Sequence, residues 1–125
     1  MRVRMFRPEF HDKVESGQKR QTIRPIPKRM PKVGDFEAWR GWTGNPYRSR
    51  QFNLAFVQLT YVGLIGLQDE MAMSLELDSD VTCYDTDALA KADGFSSWEE
   101  MRDWFKSQHG LPFNGILIRA ISVQG

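Results

Sequence analysis

Cysteine occurs once in the 125 residues, at Cys83. An internal disulfide is therefore impossible, and a cysteine-based zinc site lacks its ligands; Cys83 reads as a small core residue. Histidine is nearly as scarce: His11 and His109 stand far apart without a matching ligand cluster, so neither is assigned to a metal or to catalysis. Asp78-Ser79-Asp80 lacks the glycine and the spacing of a calcium loop, and no cofactor motif occurs. No run approaches the roughly 18 apolar residues of a membrane span, and the opening Met-Arg-Val-Arg-Met-Phe-Arg lacks the apolar stretch of a signal peptide. These absences predict a soluble, cytoplasmic protein with no membrane partner. Repeats, heptads and low-complexity segments are missing too.

What is present is ordinary globular chemistry, with 41% apolar and 26% charged residues. The length suits one core, so a single domain over residues 1–125 is expected. The net charge of +1 conceals a division: residues 1–50 hold 13 Lys and Arg against 5 Asp and Glu, and residues 51–125 hold 4 against 11. Lys19, Arg20, Arg24, Lys28, Arg29 and Lys32 follow one another with no acid between them. They form either a patch suited to phosphate or nucleic acid, or a solvated face paired with the acidic half.

The organising stretch is Gly17-Gln18-Lys19-Arg20-Gln21-Thr22-Ile23-Arg24. Gly17 can take the left-handed conformation that closes a helix, which places Lys19 on the turn beyond it. A strand then begins, and alternation puts Thr22 and Arg24 on one face, with Gln21 and apolar Ile23 on the other. Lys19, Thr22 and Arg24 converge on one polar surface able to hold an anion, a base or a reacting carbonyl.

Around this stretch the chain reads as strand, helix, strands, two helices, strand. Arg2 to Phe6 is an edge strand. Pro8 to Ser16 is a short helix with Phe10 and Val14 four apart. Pro25, Pro27 and Pro31 force an extended excursion that ends at the Gly34-Asp35 turn, before a strand from Phe36 to Trp39. The segment Arg40 to Arg50 joins turn formers to Trp42, Tyr47, Arg48 and Arg50. Such a mixture suits single-stranded nucleic acid, and equally a loop pinned to the body by its two aromatics. Phe52 to Ile65 is the strongest strand, with Gly63 and Gly66 suggesting a bulge or corner. Asp69 to Ser74 reads as a turn, with Leu75 to Leu77 and Val81 to Tyr84 as strand pieces or an irregular cover. Asp85 or Thr86 caps a helix ending near Gly94, and Ser96 and Ser97 offer overlapping capping boxes for a second. Trp98, Met101, Trp104 and Phe105 form its core-facing stripe. Gly110 and Pro112 stop it, and Gly115 to Val123 is the last strand. The expected fold class is α+β, a small, mostly antiparallel barrel with short flanking helices.

The Gly17 to Arg24 stretch, Gly34-Asp35, Ala92-Asp93-Gly94-Phe95 and Asn114-Gly115-Ile116-Leu117-Ile118-Arg119 together resemble the ASCH domain (activating signal cointegrator homology) of the PUA-like superfamily of small β-barrels. The resemblance spans about residues 4 to 122. It implies a PUA-like barrel with a cleft between its mouth and the helices, and a partner that is RNA, a nucleotide or a modified nucleoside. One branch of small members hydrolyses the acetyl amide of acetylated cytidine, and another is associated with RNA cleavage. In the first branch a lysine, a threonine three residues on and a glutamate before the second helix form the catalytic group. Lys19 and Thr22 match in type and spacing, while Asp93 stands where the glutamate would be, roughly 1.5 Å shorter in reach.

Two functions follow. In a binding module, Arg20, Arg24, Trp42, Tyr47, Arg48 and Arg50 hold RNA or a nucleotide without chemistry. In a hydrolase, neighbouring Arg20 and Arg24 lower the pKa of Lys19, which takes the proton of Thr22 while Asp93 orients a partner or shuttles the proton.

Overall fold

The computed structural model describes residues 1–76 and 83–123. Expectations for Leu77, for Val81 and for Asp78-Ser79-Asp80 lie outside the described residues. Among the described residues six strands, β1 (Arg2–Met5), β2 (Gln21–Pro25), β3 (Phe36–Trp42), β4 (Gln51–Leu67), β5 (Ala72–Ser74) and β6 (Phe113–Ser122), form one sheet. Three short helices accompany it: α1 (His11–Ser16), entered through a 3₁₀ turn at Pro8–Phe10, α2 (Thr86–Ala92) and α3 (Trp98–Gln108). The architecture is α+β, a curled mixed sheet forming a half-barrel. Among the described residues no helix is long and apolar enough to cross a membrane.

The strand order is β1-β3-β4-β6-β2, with β5 added to the end of β4. Among the described residues only β1 and β3 are parallel, and every other strand pairing is antiparallel. The 17-residue β4 runs through the centre and carries two register shifts, one setting Leu54 out of its ladder with β3 and one setting Thr60 out of its ladder with β6. Such extra residues bend a strand and increase its twist, which curls the sheet. The corner therefore falls at Leu54 and Thr60, not at Gly63 and Gly66, which pair in register with Leu117 and Asn114. Gly63 instead makes room for the Tyr61 side chain lying across it.

Curling brings the end strands β1 and β2 toward each other without main-chain pairing between them. The Arg24 guanidinium spans this seam, donating from Nη2 to the Met5 carbonyl at 2.9 Å. The helices cover the sheet with a continuous core of Val14, Trp39, Leu59, Leu89, Met101, Phe105 and Ile116 to Ile118. Local signals define their ends. Asp85 accepts from the Ala88 N–H and Ser97 from the Glu100 N–H, and glycines 17, 94 and 110 take positive φ after the helices. Cys83 is exposed rather than a core residue.

One buried charge pair is structural. Arg4 on β1 and Glu37 on β3 are 8% and 1% exposed. Glu37 accepts from Arg4 Nε at 2.5 Å and Nη2 at 3.0 Å, and from Trp39 Nε1 at 3.1 Å, so the carboxylate is fully paired. Breaking one side of a buried pair leaves an uncompensated charge. Glu37→Ala is expected to lower stability in urea denaturation by about 3–5 kcal/mol, and the Arg4→Met, Glu37→Met double replacement to recover most of that loss. Equal losses in the single and double variants would show that the pair does not act as a unit.

Candidate functional site

The seam between β1 and β2 is also an open cavity of about 310 Å³, walled in part by the 3₁₀ turn and α3. Lys19, Thr22, Arg24 and Asp93 line it with an aromatic wall that includes Phe6, Phe10, Phe95 and Trp104. Four residues proposed from sequence thus meet in one place. The remaining five do not line it. Arg20 turns back to donate to the Val14 and Lys19 carbonyls, closing the end of α1. Trp42, Tyr47, Arg48 and Arg50 belong to the β3–β4 hairpin. There Tyr47, at φ 64° and 89% exposed, packs on Trp42 at 5.3 Å rather than on the body.

Lys19 reaches the cavity because Gly17, at φ 89°, reverses the chain after α1, and the Lys19 N–H then bonds the Lys13 carbonyl at 2.9 Å. Its side chain passes beneath Phe10, with Nζ 4.9 Å from the ring centroid. Nζ donates to the Asp93 carbonyl at 2.5 Å and lies 3.4 Å from Asp93 Oδ2. Asp93 follows the last residue of α2, so the ammonium also meets an unpaired helix-end carbonyl; Lys13 does the same for Gly94. Gly94 is fixed by its φ of 95° and by space, since a Cβ there would stand 3.1 Å from the Lys19 Cδ.

Burial and pairing oppose each other at this amine. Burial is the larger effect and lowers the Lys19 pKa to about 8, against the Asp93 carboxylate, which raises it. Arg24 and Lys13 lower it further. The sequence-based account named Arg20 and Arg24 as the cause; desolvation comes first, and Arg20 faces the end of α1. Burial likewise raises the Asp93 pKa, against Lys19 and Gln21. Both partners are thus pushed toward neutrality.

Thr22 and Arg24 share a face, as alternation requires, and Arg24 Nε donates to Thr22 Oγ1 at 2.8 Å. The guanidinium lies 4.6 Å from the Phe6 ring centroid, and burial lowers its pKa to about 10. A donor fixed on the threonine oxygen favours the alkoxide over the alcohol. Among the described residues no hydrogen bond joins Thr22 to Lys19 or to Asp93.

Gln21 is a site residue that alternation sends to the other face of β2. Its Oε1 accepts from Arg119 Nε at 3.1 Å, while Nε2 donates to the Leu89 carbonyl and to Asp93 Oδ1, each at 3.1 Å. Arginine offers only donors, so the amide orientation is forced and Asp93 receives an N–H. Trp104 departs from the expected stripe: Trp98, Met101 and Phe105 are buried, whereas Trp104 is half-buried and faces the cavity. Among the described residues no group of three His, Cys, Asp or Glu side chains is placed to hold a metal ion.

Comparisons with protein-family models, with curated proteins and with solved structures give no significant match.

The competition at Lys19 is measurable without a substrate. In a ¹³Cε-lysine NMR titration Lys19 is expected to titrate near pH 8. Asp93→Asn removes the charge that favours the ammonium and should move the midpoint lower. A midpoint near the ordinary lysine value of about 10.4 would mean that water or the Asp93 carboxylate offsets the burial of the amine.

Proposed function

We propose that the chain is an ASCH-type, PUA-like domain whose seam cavity binds a nucleoside-like ligand and hydrolyses an amide on it. The observation that carries this reading is the meeting of an amine with a pKa near 8, a threonine oxygen held by a guanidinium and a buried carboxylate in one aromatic-walled cavity. A general base works best with a pKa near the operating pH. About 310 Å³ lies at the small end of ligand pockets, which suits one nucleoside-sized molecule rather than a folded RNA. Aromatic walls suit a base ring.

In the proposed reaction neutral Lys19 takes the Thr22 proton as Oγ1 attacks the acetyl carbonyl, with Arg24 stabilising the developing alkoxide. The carbon–nitrogen bond then breaks, the departing exocyclic amine takes the proton from Lys19, and an acetyl ester remains on Thr22. Water, losing a proton to Lys19, attacks that ester; acetate leaves and Thr22 regains its proton. Hydrogen bonds between base and nucleophile often tighten only once substrate is bound. Asp93 stays next to the amine, keeping its pKa from falling further, and Gln21 keeps Asp93 in place.

The test is acetate release from N4-acetylcytidine. Wild type is expected to turn over, with kcat/KM rising with pH and levelling above about 8, because the base works deprotonated. Lys19→Ala and Thr22→Ala are each expected to lose at least about a hundredfold. Absence of turnover in wild type, or unchanged rates in both variants, removes the hydrolase reading.

RNA binding without chemistry is a second reading, favoured by a separate observation. The Trp42–Tyr47 pair presents an exposed aromatic surface beside Arg48 and Arg50, away from the cavity. Stacking on such a surface contributes about 1–3 kcal/mol per base, and phosphate contacts make binding weaken steeply with salt. Affinity for a short single-stranded RNA that falls with salt and drops in Tyr47→Ala would favour it, whereas RNA binding unaltered by Tyr47→Ala would count against the hairpin.

A further inference from the structure

The nucleoside reading of the cavity, on which this inference rests, leaves the mouth unexplained. Arg7 lines that mouth from the link between β1 and the 3₁₀ turn, and it is exposed. Its guanidinium is nevertheless held from two sides. Nη2 donates to Gln108 Oε1 at 2.6 Å, at the end of α3, and the guanidinium carbon sits 5.6 Å from the Trp104 ring centroid. Both partners are neutral.

Among the described residues no carboxylate lies within ion-pair distance of Arg7, and Asp93, the one acid lining the cavity, is paired with Lys19. Glu9, Glu100 and Asp103 line a different groove that shares only Phe10, Phe95 and Trp104 with the cavity. The mouth therefore carries a positive charge that, among the described residues, no acid within ion-pair distance neutralises, and the guanidinium is already ordered against an aromatic face. Little further ordering is needed to bind an anion, and the N–H donors left over after Gln108 match the oxygens of a phosphate. Deeper in, Arg24 adds a second guanidinium, bonded to the Thr22 hydroxyl and the Met5 carbonyl rather than to a carboxylate. A cavity of about 310 Å³ is largely taken up by a base and its sugar, which keeps a phosphate at the rim.

We propose that the ligand carries a phosphate ester which Arg7 holds at the cavity mouth, so that the substrate is a nucleotide rather than a free nucleoside. Gln108 and Trp104 act as positioning residues for Arg7.

The test compares kcat/KM for acetate release, together with calorimetric affinity, for N4-acetylcytidine, its 5′-monophosphate and a trinucleotide with the acetylated base in the middle. In wild type the monophosphate is expected to be favoured over the nucleoside by about tenfold or more, the scale of one charge-assisted contact. That preference should fall as salt rises and collapse toward unity in Arg7→Gln, while Arg7→Lys retains part of it. A trinucleotide handled as well as the monophosphate assigns the phosphate to a strand; a trinucleotide that is refused assigns it to a free nucleotide. Either outcome supports the proposal if Arg7→Gln removes the preference. Equal handling of nucleoside and monophosphate by wild type, or a preference that survives in Arg7→Gln, overturns the role of Arg7 and leaves the nucleoside reading standing. If wild type binds none of the three compounds, the reading beneath it falls as well. The salt dependence of wild type gives an independent measure should Arg7→Gln fail to fold.

Discussion

Taking a lysine ammonium out of water is the constraint from which the rest of this site follows. The idealised cost of moving such an ion into a medium of low dielectric is about 20 kcal/mol, and several kcal/mol remain after relaxation. Lys19 is 2% exposed, so its neighbours must meet that cost or its charge must become labile. Both happen. The Asp93 carboxylate, the Asp93 carbonyl at the end of α2 and the face of Phe10 all favour the charged form, yet burial still outweighs them and brings the pKa to about 8. The result is an amine that changes protonation state easily, in a place where water does not reach freely.

That place exists because the sheet curls without closing. A fully paired barrel would have filled the seam with main-chain hydrogen bonds; here β1 and β2 end the strand order, and a side chain, Arg24, spans the gap between them. An open seam leaves room for a ligand and exposes strand edges that need covering. The 3₁₀ turn and α3 supply part of the cover, and their aromatic residues become the cavity wall. The one guanidinium bonds the Met5 carbonyl and the Thr22 hydroxyl at once, so closing the seam and orienting the Thr22 side chain are the same act.

Short-range features of this arrangement were legible in the sequence. A glycine after a helix fixed where Lys19 emerges, alternation along β2 put Thr22 with Arg24, and the Asp85 and Ser97 caps marked α2 and α3. What escaped depended on contacts that local rules do not encode. Alternation sends Gln21 away from Thr22, but β2 is buried on both faces, so its far side meets α2 and Asp93. Helical spacing groups Trp104 with Trp98, Met101 and Phe105 and cannot separate a residue facing the core from one facing a cavity one step round the helix. Arg20 looked like a site cation because charge can be counted along the chain, whereas its use by the end of α1 appears only in three dimensions. Glycine marks positions where a corner is permitted; the bends of β4 arose at Leu54 and Thr60, where the ladders had to change register.

The aspartate at position 93, where the resembled pattern has a glutamate, acquires a reason from this geometry. One residue supplies Lys19 with two oxygens, a backbone carbonyl at 2.5 Å and a carboxylate oxygen at 3.4 Å. Both can face the same ammonium because the side chain is short. An added methylene extends the reach by roughly 1.5 Å, which would carry the carboxylate past the amine while the carbonyl stayed, or require α2 to end farther back. Gly94 opposes that retreat: its φ of 95° and the lack of room for a Cβ beside the Lys19 side chain fix where the chain turns out of α2. In this chain the acid is matched to the lysine it accompanies, with one carboxylate oxygen facing Lys19 and the other held by Gln21.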